Sequence, residues 1–518
     1  MCCVGGVLCG QGKSDVDLQK LAKQTVRMIQ VSADRGAEGT GLAWVEDGRV
    51  HTWKKPVAAD SIPFQELFDA VLEALRSGSL VFNLRVQPLT EVYEADDQQP
   101  VTTSMTAVVH NGVVSNDKEL TKKYLLKRDS QIDSEVIPLL YDIERLNNVD
   151  PCGRFESVLK RVVGGFTYLL LDAENPSHIY VAKNFKPCWL AYDQTKNVWV
   201  INSEKKNIIA GFGFVEHPAG DWWVRELPAY TLADLAVNGC YFDRKIDNAH
   251  QTHVPEPDPN KVLVICSGGL DSTTAAYIMK NHYGKEVTLC HVNYGHLAEH
   301  NEKLAIEALA EDMGTEPIFV DARFLKDLGK SGIIDADLKG VDEIEGIESL
   351  YAWVPARNFV LTAMITAICE ARGIQYMTSG FNLEEAGVFP DNCITFFEKI
   401  NELLPYATAR GKIRLKTVLE RFTKYEIVLL GYHFGVPYDL TYSCYYGDND
   451  TEHASKAAPC GQCGPCCLRR WAFLKADVED PQLNRYQNPP PPTPWEGKTG
   501  FGETDVKKLI ARLPVWGS

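Results

Sequence analysis

No stretch of this sequence approaches the roughly 18–20 consecutive apolar residues that a membrane span needs. The most apolar runs, such as Phe359 to Cys369, are far shorter and hold threonines. A secretory leader is missing as well, so the 15 cysteines are expected to be reduced thiols in a cytoplasmic protein rather than an extracellular disulfide framework. Positive charge is scarce: 53 Lys and Arg face 69 Asp and Glu, a net charge of −16. That balance excludes a general polyanion binder, which needs a basic surface to displace counterions from phosphates. The Gly-x4-Gly-Lys-Ser/Thr pattern of P-loop kinases and ATPases is absent too. What remains is ordinary globular composition, 45% apolar and 24% charged, which removes disordered and fibrous classes.

At 518 residues the chain is expected to fold as two or three domains, given about 100–200 residues for each. Its first part reads as strands, with short β-branched and aromatic runs at Val81 to Leu84, Thr106 to Val109, Phe166 to Leu171, Ile179 to Ala182 and Val198 to Ile201. Helical spacing appears around Leu18 to Ser32 and Ser134 to Leu146. His253-Val254-Pro255-Glu256-Pro257-Asp258-Pro259 then interrupts any regular element, because three prolines remove backbone donors. Beyond it strand and helix alternate: Lys261 to Cys266, Ser272 to Asn281, Val287 to Val292, Asn301 to Met313. Alternation of this kind predicts a parallel sheet covered on both faces. A proline-rich stretch, Asn488 to Pro494, marks a tail that is a polyproline spacer or a strap. The expected division is 1–244, a linker at 245–260, 261–476, and a tail at 477–518.

Cys2 follows the initiator methionine directly, and its small side chain suits methionine removal. A chain beginning with cysteine would carry its own base, since an α-amino group of pKa roughly 7.7–8.0 can take the thiol proton. By itself the position fits a buried strand cysteine equally well. Further segments follow in order: Arg35-Gly36-Ala37-Glu38-Gly39, Asn83-Leu84-Arg85, Gln99-Pro100, His110-Asn111-Gly112 and Asp133-Ser134-Glu135. Taken singly, Asn-Gly is a turn signal and Arg85 a surface arginine. Taken together they resemble the class II glutamine amidotransferases over about 230 residues. The resemblance implies an N-terminal-nucleophile fold, an αββα sandwich of two antiparallel sheets between helices. It also implies that Cys2 attacks the amide of glutamine, that Arg85 holds the substrate carboxylate and Asp133 its ammonium, and that Asn111 and the Gly112 N–H form the oxyanion hole. The chain departs from the family at Cys3, where Gly is common, and at Val113, where Glu is common.

After the strand at Val262 to Cys266 comes Ser267-Gly268-Gly269-Leu270-Asp271-Ser272 and then a helix. Glycines allow close backbone approach to phosphate, and a helix N-terminus supplies free N–H donors. Cys444, Cys460, Cys463 and Cys466 form a C-x15-C-x2-C-x2-C array, whose four thiolates suit a closed tetrahedral zinc site better than a redox pair. Cys467 is a neighbour outside the set.

The hexapeptide resembles the PP-loop of N-type ATP pyrophosphatases. With Val354-Pro355-Ala356-Arg357-Asn358, Gly380-Phe381-Asn382, Phe389-Pro390-Asp391, Thr423-Lys424 and the cysteines, residues from Lys261 to Phe473 resemble the 7-cyano-7-deazaguanine synthases. The resemblance implies an α/β PP-loop domain with a parallel sheet. Ser267, Gly268, Gly269, Asp271 and Ser272 would bind ATP with Mg2+, Lys424 would meet the departing pyrophosphate, and Glu385 and Asp391 would recognise the base. Glu385 stands where the family tends to have Asp, and Phe389 where it tends to have Tyr.

An ammonia source joined to an ammonia consumer implies a ligase that cleaves ATP to AMP and pyrophosphate, with glutamine and a 7-deazaguanine base as partners and Zn2+ as structural metal. The fusion points to nitrile-to-formamidine conversion of the archaeosine type, in transfer RNA or DNA. Carboxylate-to-nitrile conversion is the next reading, and asparagine-synthetase-like amidation or a retired binding protein are the others. A homodimer is compatible with all of them.

Overall fold

The computed structural model describes residues 2–86, 97–147, 150–213, 222–239, 241–247, 253–328, 331–335, 337, 352–387, 389–446, 451–490 and 506–516. The chain divides into two compact units, Met1–His253 with Ala409–Gly411, and Val254–Thr408 with Lys412–Ser518. Of the expected linker, 248–252 lie outside the described residues, and the first strand of the second unit already begins at Asp258.

In the first unit, seven antiparallel strands run Trp222–Glu226, Trp189–Asp193, Val198–Asn202, Cys3–Leu8, Ser79–Arg85, Gly39–Glu46, Arg49–Lys55. A second antiparallel sheet of six runs Tyr241–Lys245, Thr231–Ala236, His178–Lys183, Phe166–Asp172, Thr106–Gly112, Val101–Thr102. The strand Ser79–Arg85 is buried along its whole length, and the two-residue period explains how. Leu80, Phe82 and Leu84 pack with Leu21, Val26 and Ile29 of the helix Asp15–Val31. Val81 points the other way, into a layer with Val4, Ala107, Val109, Leu169 and Val181 drawn from both sheets. On the far face of the second sheet, Val108, Phe166, Tyr168 and Leu170 meet Ile137, Leu140 and Phe155 of the helices Val136–Glu144 and Pro151–Leu159. Three apolar layers between four layers of backbone make the αββα sandwich expected from the resemblance.

The second unit carries a five-stranded sheet, parallel throughout: Ile318–Asp321, Glu286–Asn293, Asp258–Ile265, Ile374–Ser379, Arg414–Leu415. Both faces are covered. Val262 and Val264 pack beneath the helices Leu270–Asn281 and Lys424–Phe434, whereas Leu263 faces Leu361 and Ile365 of the helix Arg357–Arg372. Gly314, at φ +65°, ends the helix Glu299–Met313 in the left-handed conformation that glycine adopts without steric cost.

The described part of the tail lies on this second unit. Gln487 N and Asn488 N donate to the carbonyls of Pro459 and Cys460 at 2.8 and 3.3 Å. Leu509 and Leu513 of the final segment join the apolar core. Residues 491–505 and 517–518 of the expected tail lie outside the described residues.

Candidate active sites

Cys2 sits half-buried at the head of the central strand Cys3–Leu8, its Sγ 3.9 Å from the carbonyl oxygen of Val86. Its neighbour Cys3 is wholly buried, with Sγ 3.5 Å from Asn202 Oδ1. Burial pushes the Cys3 thiol up to about 11, so it stays protonated and unreactive. The adjacent Val4 is pinned on both sides, its N–H donating to Ser203 Oγ at 3.0 Å and its carbonyl accepting from Ser203 N at 2.9 Å. Asn202 and Ser203 are fixtures that sequence reasoning missed. The signal was a polar pair closing the strand at Val198.

Arg85 ends the strand paired with Cys3–Leu8, and its Nη1 donates to the carbonyl of Asp97. Asn83, two residues earlier on that strand, donates from Nδ2 to the carbonyl of His110 at 3.1 Å. This bond ties the two sheets together where Asn111 and Gly112 end the strand Thr106–Gly112. Asn111 is buried, and its Nδ2 finds no acceptor among the described residues. An amide donor so placed is what an oxyanion requires. At Gly112 a Cβ would fall 1.8 Å from the carbonyl oxygen of Gly165, so no other residue fits without backbone movement.

Asp133 is reached through His110. His110 Nδ1 lies 2.7 Å from Ser134 Oγ, Ser134 Oγ donates to Asp133 Oδ1 at 3.0 Å, and Val114 N donates to Asp133 Oδ2 at 2.6 Å. Burial drives the His110 pKa down to about 4, although the Asp133 charge acts in the other direction. His110 is therefore a neutral scaffold near pH 7, stacked on Tyr168 at 4.4 Å. Four of the residues expected for glutamine hydrolysis, Cys2, Arg85, Asn111 and Gly112, thus fall at strand ends of one unit, and Asp133 opens the short 3-10 helix Asp133–Glu135 in the same unit.

The second unit holds a cleft of about 210 Å³ at the carboxyl ends of its strands, the position open parallel sheets reserve for ligands. Ser267, Gly269, Asp271, Ser272, Glu385 and Lys424 line it; Asp391 does not, although Asn392 does. Gly268 turns the chain at φ +76°, and a Cβ there would meet that of Ala305 at 2.7 Å. Ser272 Oγ accepts from Ser267 N at 3.3 Å, which closes the loop on itself, and Gly269, which has no side chain, precedes the helix Leu270–Asn281, whose first N–H donates to Ser443 Oγ at 3.2 Å.

Lys424 opens the helix Lys424–Phe434 and donates to Asp271 Oδ2 at 2.8 Å and to Glu385 Oε1 at 2.9 Å. Asn382 and Asn392 complete the shell of Glu385, each donating at 2.9 Å. Burial raises carboxyl pKa values here, and it dominates at Asp271, which rises to about 6 despite Lys424. At Glu385 the same burial is outweighed by Lys424 and the two amides, and the carboxyl falls below its ordinary value. Glu385 is thus spent on Lys424, whereas Asp271 Oδ1 is buried without a partner among the described residues. Asp391 accepts from Asn358 N at 3.3 Å and from Asn358 Nδ2 at 3.2 Å. Arg357 lines the cleft, a cation that sequence reasoning quoted within a motif and gave no role.

Cys444, Cys460, Cys463 and Cys466 are all buried with sulfurs within 4.8 Å of one another, and none is in a disulfide. Cys463 Sγ lies 3.4 Å from Cys466 Sγ and 3.8 Å from Cys444 Sγ, near the edge of about 3.8 Å that a tetrahedral Zn–S distance of about 2.3 Å gives. Backbone N–H groups of Tyr446 and Cys460 donate to Cys444 Sγ at 3.3 Å, as thiolate ligands require. Cys467 Sγ instead lies 3.8 Å from the carbonyl of Gln462, outside the cluster.

Residues 261–477 match the family of the queuosine biosynthesis protein QueC, and residues 85–210 match a glutamine amidotransferase domain. A 7-cyano-7-deazaguanine synthase of Saccharolobus solfataricus is 34% identical over 93% of this chain and 99% of its own length. The chain belongs to the 7-cyano-7-deazaguanine synthase family. A second such synthase, from Sulfurisphaera tokodaii, matches equally fully at 34% identity. That of Methanocaldococcus jannaschii is 37% identical over 232 residues, 97% of its own length and 42% of this chain.

As a member of the 7-cyano-7-deazaguanine synthase family, this chain is an enzyme of 7-deazaguanine modification in which a glutamine amidotransferase domain accompanies an ATP-using domain. The donors present fit the groups the family implies. The four thiols fit zinc, and the glycine turn at the head of the helix Leu270–Asn281 fits the phosphates of ATP. No helix among the described residues is long and apolar enough to cross a membrane.

Proposed function

We propose that this enzyme converts a 7-carboxy-7-deazaguanine to its nitrile, with glutamine as nitrogen source and ATP as activator. Cys2 attacks the glutamine amide carbon, ammonia leaves, and water releases glutamate from the thioester. Asn111 Nδ2 and the Gly112 N–H hold the oxyanion, Arg85 the substrate carboxylate, and Asp133 its ammonium. In the second unit the base carboxylate attacks the α-phosphate of ATP, pyrophosphate leaves, and ammonia displaces AMP to give an amide. A second ATP is then attacked at its α-phosphate by the amide oxygen, pyrophosphate leaves, and loss of AMP and two protons from the nitrogen gives the nitrile.

Lys424 offsets charge on the phosphates, and Glu385 positions Lys424 rather than reading the base. Asp271 Oδ1 is the atom that would face Mg2+, which suits oxygen ligands.

The observation that carries the choice of step is the completeness of the ATP cleft, with Lys424 held between Asp271 and Glu385. Converting a carboxylate to a nitrile expels two oxygens and needs a leaving group, whereas ammonia adds to a nitrile without expelling anything. The names of the full-length relatives support the same step. A net charge of −16 favours the free base over a polynucleotide. Nitrile-to-formamidine conversion, expected from the fusion, would draw on the same ammonia source, so the first unit does not separate the two readings.

Mass spectrometry separates the two readings. With glutamine and ATP, the free carboxylate is expected to yield the nitrile with loss of both oxygens. Turnover of nitrile-bearing transfer RNA to formamidine, with the carboxylate inert, would overturn the assignment.

A further inference from the structure

Three metal-ligating side chains that the chemistry above does not use meet at one wall of the ATP cleft. His291 comes from the strand Glu286–Asn293, His296 from the loop after it, and Glu302 from the helix Glu299–Met313. His296 Nε2 lies 2.9 Å and His291 Nδ1 3.8 Å from Glu302 Oε2, and one ligand atom from each residue lies within 4.8 Å of the others. These separations bracket the edge of about 3.4 Å that metal bonds of about 2.0–2.1 Å would set.

Both imidazoles are 3% exposed and the carboxylate 13%. An ion pair between His296 and Glu302 would explain one contact. It does not explain why His291 Nε2 and His296 Nδ1 are buried with no hydrogen bond to any described residue, a placement that is destabilising for each unsatisfied group. The cluster also touches the phosphate loop: His291 Nδ1 is 3.4 Å from the carbonyl of Cys266, and a Cβ on Gly268 would lie 3.4 Å from the carbonyl of Glu302.

We propose that His291, His296 and Glu302 bind a divalent transition-metal ion of the zinc class, distinct from the four-cysteine site, with a coordination position open to the cleft. Two imidazoles and a carboxylate are too soft a set for Mg2+, and three protein ligands leave the fourth position that structural zinc sites fill. His291 and Glu302 both line the cleft, so the open position would take an anionic oxygen, from phosphate or carboxylate, of whatever binds there.

Cobalt substitution tests this with the full chain. Metal-stripped protein reconstituted with Co2+ and passed through gel filtration is expected to retain about two equivalents. One shows the thiolate-to-cobalt charge-transfer band of the cysteine site, and the other visible ligand-field bands alone. The variant carrying His296→Gln and Glu302→Gln should keep about one equivalent with the charge-transfer band intact, and that band also reports that the second unit has folded. A single equivalent in the unaltered chain would overturn the proposal, as would a second equivalent ligated by sulfur. Should the double variant lose the thiolate band, the ligands of the second equivalent in the unaltered chain, read by X-ray absorption, decide between nitrogen–oxygen ligation, which supports the site, and sulfur, which refutes it.

Discussion

Replacing Asn111 with Ala removes one donor and, on this structure, little else. Its Nδ2 is buried and makes no hydrogen bond with any described residue, so its deletion orphans no partner there. The expected thermodynamic cost is that of a small cavity, about 1 kcal/mol or less, and a Tm shift of about 2–4 °C at most. The catalytic cost is larger. A preorganised oxyanion donor contributes about 2.7–4 kcal/mol in comparable sites, or roughly 10²–10³ in kcat. Because that bond forms fully only as charge develops on the amide oxygen, kcat and kcat/KM for glutamate release should fall together while KM stays near its original value. Steady-state glutamate release measures this, with product formation from ammonium chloride as the control that should not change. A loss under about tenfold, or a rise in KM at constant kcat, would refute the assignment of Asn111 to the oxyanion.

Lys424→Met should abolish ATP-dependent product while glutaminase activity persists. It should also lower stability by about 3 kcal/mol in urea titrations, because Asp271 and Glu385 are left as buried carboxylates without their cation. His110 gives a pH prediction. Its folded pKa of about 4 lies below the ordinary 6.5, so the unfolded chain binds the extra proton first, and stability falls as pH drops from about 6.5 towards 4. The loss is on the order of 3 kcal/mol. His110→Gln should flatten that part of the Tm–pH curve, and an unchanged slope would place its origin elsewhere. Cys463→Ser should release the thiolate-bound zinc, measured by elemental analysis, and lower the Tm of the second unit while glutamate release continues.

Much of the scaffold was legible because the apolar period was strong. The run Val198 to Ile201 sits inside the strand Val198–Asn202, and Asn301 to Met313 inside the helix Glu299–Met313. Less legible was the hairpin Gly39–Glu46 with Arg49–Lys55, whose second strand is exposed and polar, although Asp47-Gly48 carried the turn signal. Candidate site residues with unusual neighbours in sequence, such as Cys2, the glycine turn at Ser267 to Ser272 and the cysteine array, stood out in the sequence. The contacts that set their chemistry could not. That Glu385 is committed to Lys424 depends on Asn382 and Asn392 arriving from either side of it. That His291, His296 and Glu302 converge depends on a strand, a loop and a helix meeting, and their spacing alone matches no metal motif.

In the proposed reaction the thiol at position 2 supplies ammonia to ATP-dependent chemistry on a 7-deazaguanine carboxylate. Cys2→Ala, assayed with ATP and the free carboxylate and read by mass spectrometry, tests it most directly. We expect no nitrile from glutamine and nitrile from ammonium chloride at close to the unaltered rate. Nitrile formed from glutamine by the variant, or none from either nitrogen source, would contradict it.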